Sequence, residues 1–208
     1  MPPIKESSDE LNPAVAVAAN EIPAPRKRRA GDYVALAIAT CGVGFFPIAP
    51  GTLGSLVGVA IFLTIRGLTS GPLDRFAVTR HWYYFQVEAA ELALALATIM
   101  IISLAGLWAA TRAESVLRRK DPGAVVIDEV AGQMIALLSA SYYISGAWSI
   151  ISAFILFRVF DIWKPYPIRR LEALESGLGI MADDVLAGLY AAVINSLLVA
   201  GFYLFFVR

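Results

Sequence analysis

The amino-acid sequence predicts an all-α integral membrane protein with about four to five membrane-embedded helices. The 208 residues are 58% hydrophobic and only 16% charged, which is too apolar for an ordinary soluble domain. Four uncharged runs, each long enough for a helix to cross a bilayer core, divide most of the chain. The formal net charge is zero, so no basic field indicates a nucleic-acid partner. The single cysteine, Cys41, excludes an internal disulfide framework.

Residues 1–30 are predicted to form a disordered, basic cytoplasmic tail in front of one membrane domain over residues 31–208. The tail contains prolines and mixed charges, and it lacks an apolar stretch of signal-peptide length. It ends in a basic cluster at residues 26–29 (RKRR), which is typical of a positive-inside topology signal. The same cluster is also suited to contact with anionic lipid.

The predicted helices follow from the uncharged runs at residues 34–65, 92–111, 130–157 and 185–207. About 20 helical residues cross a bilayer core, so the second and fourth runs each fit one crossing. Three glycines and two prolines between residues 42 and 52 interrupt the first run, which predicts a loop and a new helix from near Thr52. In the third run Ser145-Gly146 predicts a turn. Residues 130–144 are then a short helix that is tilted or only partly inserted.

Lysine and arginine residues predict the orientation of the chain. Basic residues flank a loop between Arg112 and Lys120 and a second loop between Lys164 and Arg170. Because cytoplasmic loops carry an excess of Lys and Arg, we expect both loops and the tail on the cytoplasmic side. Residues 67–84 then lie on the outer side, where an aromatic cluster indicates the membrane interface.

Acidic residues stand at the predicted cytoplasmic ends of the helices, namely Asp128, Glu129, Asp161, Asp183 and Asp184. Ionisable residues at the edge of membrane-length apolar runs are costly there, so they indicate a functional site. Carboxylates from separate segments can meet in one pocket, where a divalent cation relieves their repulsion. Hard oxygen ligands suit Mg²⁺, which completes its shell with water and substrate phosphate oxygens. The sequence therefore predicts a Mg²⁺ cofactor in a cytoplasmic-face active site.

Basic and hydroxyl side chains at the same ends predict a phosphate site. Arg158, Lys164 and Arg169 supply positive charge for a phosphate group. The glycine–proline loop opens a helix near Thr52, and its free backbone amides form an anion site with the hydroxyls of Thr52 and Ser55.

Each of these features also has a simpler structural interpretation. An Asp-Glu or Asp-Asp pair before an apolar helix is commonly a helix cap, and Thr52 and Ser55 can be caps as well. Residues 164–170 alone are typical of a basic loop that sets topology. The meeting of four such features on one predicted face favours a functional site.

Four segments carry motifs that are too long to arise from composition bias. They are residues 47–55 (PIAPGTLGS), 126–132 (VIDEVAG), 157–169 (FRVFDIWKPYPIR) and 177–188 (GLGIMADDVLAG). In these segments, and in order from about residue 34 to residue 203, the chain resembles the bacterial phosphatidylglycerophosphatase A family. The tail and residues 67–84 carry no recognisable family motif.

The resemblance implies an activity, a cofactor and a location. The expected enzyme is a Mg²⁺-dependent phosphatase that converts phosphatidylglycerophosphate to phosphatidylglycerol and inorganic phosphate. It would be a multi-pass protein of the bacterial inner membrane with its active site facing the cytoplasm. Its expected partners are the substrate in the bilayer and other membrane lipids, and the oligomeric state stays open.

The residues and the resemblance together assign expected roles. The expected Mg²⁺ ligands are Asp128, Asp161, Asp183 and Asp184. The expected catalytic set is Asp128, Glu129, Asp161, Lys164 and Asp184, with Glu129 either a metal ligand or the general base. The expected phosphate-binding residues are Thr52, Ser55, Arg158, Lys164 and Arg169. No Asp-x-Asp-x-Thr or Asp-x-Asp-x-Val nucleophile motif is present, which favours direct attack by water over a phospho-enzyme.

Three alternatives stay open at this point. The substrate can be another lipid phosphate, such as phosphatidic acid or an isoprenyl diphosphate. An ion-coupled transporter also has helices broken by Gly and Pro, although its acids are expected near the bilayer midplane. A non-catalytic membrane scaffold would leave the converging acids unexplained.

Overall fold

The computed structural model describes residues 28–140, 146–171 and 174–206, and the regular secondary structure of these residues is entirely helical. The helices are α1 (Ala30–Thr40), α2 (Pro50–Arg80), α3 (Tyr84–Leu117), α4 (Ile127–Leu137), α5 (Ala147–Trp163), α6 (Ile168–Leu171) and α7 (Ser176–Phe206). The predicted all-α class is confirmed. Residues 1–27 of the predicted tail and Ser145 of the predicted turn lie outside the described residues.

Three of the described helices, α2, α3 and α7, are long and apolar enough to cross a membrane. The expected number of four to five membrane-embedded helices is therefore not confirmed. At about 1.5 Å per residue, the 31 residues of α2 extend roughly 46 Å, which exceeds the bilayer core of about 30 Å. Residues 67–84, predicted as an outer loop, consist mainly of the end of α2 and the start of α3. The two helices thus form a hairpin that continues past the hydrocarbon core.

The short helix α4 lies at the centre of the bundle. It contacts α1, α2, α3, α5 and α7, and ten of its eleven residues are buried. A helix that is apolar on nearly all sides is expected in such a position. It begins three residues before the predicted residue 130 and ends at Leu137, so it is only about 16 Å long. It is too short to cross the bilayer.

Glycines bring α4 and α7 into close contact. A Cβ atom at Gly188 would overlap the backbone carbonyl of Gly132, and a Cβ atom at Gly132 would lie 2.6 Å from the carbonyl oxygen of Asp184. Small residues at such crossings let two helix backbones approach each other. The contact positions the first half of α7, with its two aspartates, beside α4.

The first uncharged run is broken, as the sequence predicted. The chain turns between α1 and α2 through left-handed backbone at Cys41, Gly42 and Ala49. Helix α2 then begins at Pro50, two residues before the predicted Thr52. Proline is favoured in the first turn of a helix because its missing N–H has no partner there in any case.

An ion pair fastens α1 to α3. The Arg112 Nε atom donates to Asp32 Oδ1 at 2.7 Å, and Asp32 also accepts a hydrogen bond from the backbone N–H of Arg29 at 2.8 Å. Asp32 is buried and the Arg112 side chain is 37% exposed, so the pair is only partly shielded from water. Arg112 was predicted only as a topology signal, and it also has this structural role.

Candidate active site

Several helix ends meet around a cavity of about 590 Å³, which we name the acidic cavity. Helices α2, α4 and α7 begin there, and α3 and α5 end there. Its ionisable lining residues are Glu114, Lys120, Asp121, Asp128, Glu129, Arg158, Asp161, Lys164, Asp183 and Asp184. The structure therefore brings together the five acidic residues that the sequence singled out, from three separate helices.

Three carboxylates form the centre of the acidic cavity. One oxygen each of Asp128, Glu129 and Asp184 lie within 4.8 Å of one another. Asp128 Oδ1 and Glu129 Oε2 are buried and have no hydrogen-bond partner among the described residues. Burial raises the pKa of Asp128 well above its usual range, and the negative charges of Glu129 and Asp184 raise this pKa further. Carboxylates this close need a shared proton or a cation, so this donor set fits a hard divalent metal ion.

The other two predicted metal ligands pair with basic side chains. Arg158 Nη1 donates to Asp161 Oδ2 at 2.6 Å, and Lys164 Nζ donates to Asp183 Oδ2 at 2.6 Å. Asp161 also lies beside Asp184. The two ion pairs keep two positive charges in the lining of the acidic cavity, together with the carboxylate triad. A negatively charged group entering the acidic cavity would meet these two cations.

The start of α2 closes one wall of the acidic cavity. The Ser55 hydroxyl is fully buried, donates to the backbone carbonyl of Gly51 at 3.0 Å, and accepts from Arg158 Nη1 at 3.4 Å. The first backbone bond into the helix runs from Leu53 N–H to Ala49, so the amides of Gly51 and Thr52 have no acceptor within the helix. Thr52 is half-buried and is not among the described residues that line the cavity.

Gly51 is a site residue that the sequence reasoning did not single out. A Cβ atom there would overlap Glu129 Oε1 and lie 3.3 Å from Arg158 Nη1. The PGT sequence within residues 47–55 was the available signal. Glu114 was missed as well; its carboxylate accepts from the backbone N–H of Asp121 at 2.9 Å. No sequence pattern distinguishes Glu114 from an ordinary surface acid.

Arg169 lies in a neighbouring cavity of about 520 Å³, which we name the basic cavity. The lining residues are Trp163, Lys164, Pro165, Tyr166, Arg169 and Arg170. The Arg170 guanidinium lies over the Tyr166 ring at 5.0 Å from its centroid. Lys164 lines both cavities, so the basic cavity adjoins the acidic cavity at this side chain.

Cys41 responds electrostatically to the acidic cavity although it does not line it. Burial, and to a lesser degree the charge of Glu129, raises the pKa of its thiol to about 11. The thiol donates weakly to the backbone carbonyl of Ile38 at 3.3 Å. It is therefore a neutral packing group at physiological pH.

Known proteins support one family for this chain. The sequence profile of the family described as Phosphatidylglycerophosphatase A matches residues 36–199. A phosphatidylglycerophosphatase A of Haemophilus influenzae is 35% identical over 154 residues, 74% of this chain and 80% of the relative. The enzyme of the same name from Escherichia coli is 28% identical over 153 residues, 73% of this chain and 74% of the relative.

A third relative has a different name. A protein of Bacteroides thetaiotaomicron, named as a candidate phosphatidylinositol-3-phosphatase, is 37% identical over 153 residues, 74% of this chain and 85% of the relative. No solved structure matches the chain. The profile match covers well over half of the sequence, and it includes all four motif segments and the acidic cavity. The chain therefore belongs to the phosphatidylglycerophosphatase A family.

Proposed function

We propose that this protein hydrolyses phosphatidylglycerophosphate to phosphatidylglycerol and inorganic phosphate at a Mg²⁺ centre in the acidic cavity. The observation that carries the proposal is the triad of Asp128, Glu129 and Asp184, in one cavity with two ion-paired cations. Asp128 and Glu129 each have a buried oxygen without a hydrogen-bond partner among the described residues. Membership of the family supports the lipid phosphatase reaction.

Asp128 and Asp184 would hold Mg²⁺, and Glu129, the third member of the triad, would act as the general base beside it. Asp161 and Asp183 lie next to Asp184. When bound, Mg²⁺ supplies positive charge that neutralises the terminal phosphate and favours attack at phosphorus. Asp161 and Asp183 were expected as direct ligands. Their ion pairs instead support a positioning role, in which they aim Arg158 and Lys164 at the substrate.

The protein's own groups bind and orient the terminal phosphate. Arg158 and Lys164 donate to its oxygens and balance the charge that develops on them. The Ser55 hydroxyl accepts a hydrogen bond from Arg158 and so fixes its position, and the amide of Gly51 at the start of α2 adds a donor for the same oxygens. A water molecule attacks phosphorus, and Glu129 accepts its proton. The bond from phosphorus to the glycerol oxygen breaks, and Glu129 returns its proton to that oxygen as phosphatidylglycerol leaves.

The basic cavity supports recognition of a second phosphate. Phosphatidylglycerophosphate carries a terminal phosphomonoester and a phosphodiester that joins its head group to the diacylglycerol. We assign the monoester to the acidic cavity and the diester to Arg169 in the basic cavity, with Lys164 between them. Phosphatidylinositol 3-phosphate has the same two kinds of phosphate, whereas phosphatidic acid has only the monoester. This division favours a head-group phosphatase over a phosphatidic acid phosphatase.

We further propose that the acidic cavity faces the cytoplasm from a bacterial inner membrane. Exposed basic residues 118–120 lie at the same end of the bundle as the acidic cavity, which agrees with the positive-inside rule. Single cysteines in a Cys41→Ala background test this orientation. A cysteine at Ile162 should react only with reagents that reach the cytoplasm, and one at Val78 should react from outside. The reverse pattern would contradict the orientation.

The decisive experiment is phosphate release by the purified protein in detergent micelles, with and without Mg²⁺. The substrates are phosphatidylglycerophosphate, phosphatidylinositol 3-phosphate and phosphatidic acid with the same acyl chains. We expect Mg²⁺-dependent release that is fastest with phosphatidylglycerophosphate and is lost in Asp184→Asn. Folded protein that releases no phosphate from any of these lipids would refute the proposal. Faster release from the inositol lipid would move the assignment to that substrate.

A further inference from the structure

A second polar site lies far from the acidic cavity, between α2, α3 and the end of α4. It is a cavity of about 250 Å³, which we name the outer cavity, and it is lined by Arg66, Glu88 and Glu91 together with apolar side chains. Arg66 follows Pro50 on α2 by about 24 Å at 1.5 Å per residue. The bilayer core is about 30 Å thick, so the outer cavity lies near the head groups of the opposite leaflet.

The charges of the outer cavity are not balanced. Arg66 Nη2 lies 3.6 Å from Glu91 Oε2, which is longer than a charge-assisted hydrogen bond. The other oxygen, Glu91 Oε1, is buried and has no hydrogen-bond partner among the described residues. Glu88 adds a second carboxylate to the same lining. Two carboxylates against one guanidinium leave one negative charge that no described lining residue neutralises.

The phosphatase reaction does not use these groups. Ionisable residues within membrane-crossing helices are energetically costly, so they indicate a functional site. The unpartnered Glu91 Oε1 calls for a hydrogen-bond donor, and the excess charge calls for a cation. The walls are apolar at Phe62, Leu92 and Met134, which suits acyl chains rather than water alone. An ammonium group attached to a lipid meets all three requirements.

We propose that the outer cavity binds an aminophospholipid of the opposite leaflet. The primary ammonium donates to Glu91 Oε1 and is drawn by Glu88, and the lipid phosphate pairs with Arg66. The acyl chains lie along Phe62 and Leu92. A quaternary ammonium lipid lacks the N–H donors that Glu91 needs, and an anionic lipid would be repelled by the two carboxylates.

Native mass spectrometry of the detergent-purified protein tests this proposal without using phosphatase activity. Phosphatidylethanolamine, phosphatidylcholine and phosphatidylglycerol with identical acyl chains are added at equal concentration. We expect phosphatidylethanolamine to be retained at least about tenfold more than either of the others, the scale of one charge-assisted hydrogen bond. Glu91→Gln should reduce its retention about tenfold. The matched control is Asp74→Asn, an exposed acid further along α2, which should leave it unchanged.

Equal retention of the three lipids would overturn the proposal, as would preference for either of the other two. The proposal would also be overturned if Glu91→Gln and Asp74→Asn retained phosphatidylethanolamine equally. If Glu91→Gln fails to fold, the comparison of the three lipids on the unaltered protein decides alone. Free O-phosphoethanolamine is the final arm. If it displaces the lipid at equal concentration, the apolar wall contributes nothing and the assignment to a lipid is wrong.

Discussion

The acidic cavity and the outer cavity both contain ionisable side chains carried by apolar helices, but they are built differently. In the acidic cavity the charged groups come from four helices and the loop after α3, the ion pairs measure 2.6 Å, and three carboxylates converge. In the outer cavity a single pair at 3.6 Å joins two neighbouring helices. Under the two proposals above, the cavity where more separate segments meet is the reaction centre, and the presence of charge alone does not distinguish it from the binding site.

The largest effect is expected for Asp184→Asn in the carboxylate triad. It removes one charge from the proposed metal ligands, so kcat for phosphatidylglycerophosphate should fall at least about a thousandfold. Thermal stability should be preserved, because the substitution relieves repulsion between buried carboxylates. Phosphate release and a melting curve measure both. Asp74→Asn carries the same chemical change outside both cavities and should stay within about twofold of the unaltered protein. An equal loss of kcat in the two variants would show that the triad has no role in the reaction.

Gly51→Ala tests the close fit of the acidic cavity. The new methyl group would push Glu129 and Arg158 apart, and a displacement of about 1 Å at a reacting centre can cost about a hundredfold in rate. Gly71→Ala is the matched control on the same helix, because a Cβ atom there meets nothing within 4 Å. Initial rates of phosphate release should separate the two variants. Similar rates would show that the wall formed by α2 is not required.

Cys41 reports the effect of burial on a thiol near the acidic cavity, with a smaller contribution from the charge of Glu129. Its thiol pKa of about 11, against an ordinary 9.0, leaves about a hundredfold less thiolate at pH 8. Because the pKa is raised, the neutral thiol is the dominant form below pH 11, and alkylation should accelerate only as the pH rises towards that value. Val78→Cys in a Cys41→Ala background gives an exposed thiol at the opposite end for comparison. Iodoacetamide should alkylate that site much faster. Similar rates at the two sites would contradict the predicted shift.

The smallest effect is expected for Arg169→Gln in the basic cavity. Losing one charge-assisted contact to the diester should raise KM for phosphatidylglycerophosphate about tenfold and leave the kinetics with phosphatidic acid nearly unchanged. Arg75→Gln, an exposed arginine at the far end of α2, serves as the control. If KM rose equally for phosphatidylglycerophosphate and phosphatidic acid, Arg169 would contribute to the monoester site or to membrane attachment instead.

The meeting of the acids could be predicted from sequence because positive-inside topology puts particular helix ends on one side of the membrane. The different partners of the individual acids could not be predicted from sequence. Asp183 and Asp184 are adjacent, and successive residues on a helix point about 100° apart, so one faces Lys164 and the other faces the triad. The side that each one faces depends on how α7 is rotated against α4. That rotation is set by packing at Gly132 and Gly188, which sequence patterns do not reveal.

The extent of α4 was also beyond sequence reasoning. Hydropathy continues past Leu137 without a glycine or proline, so a helix over residues 130–144 was the natural expectation. Helix α4 nevertheless ends at Leu137, although no glycine or proline follows within the described residues to Ala140. The separation of Arg169 from the acidic cavity has a similar origin. Helix α5 ends at Lys164 in left-handed backbone, and the chain turns into α6 before Arg169 is reached.

The brevity of α4 has a consequence for how the protein is made. A helix of eleven residues with two acids in its first turn is too short to cross the bilayer core by itself. It can take its position in the bundle only when other helices surround it. Helix α7, with which it makes the most contacts, is synthesised after it. The carboxylates of α4 and α7 therefore come together only after α7 has been synthesised. A nascent chain that stops short of α7 would have spans in the membrane but no assembled reaction centre.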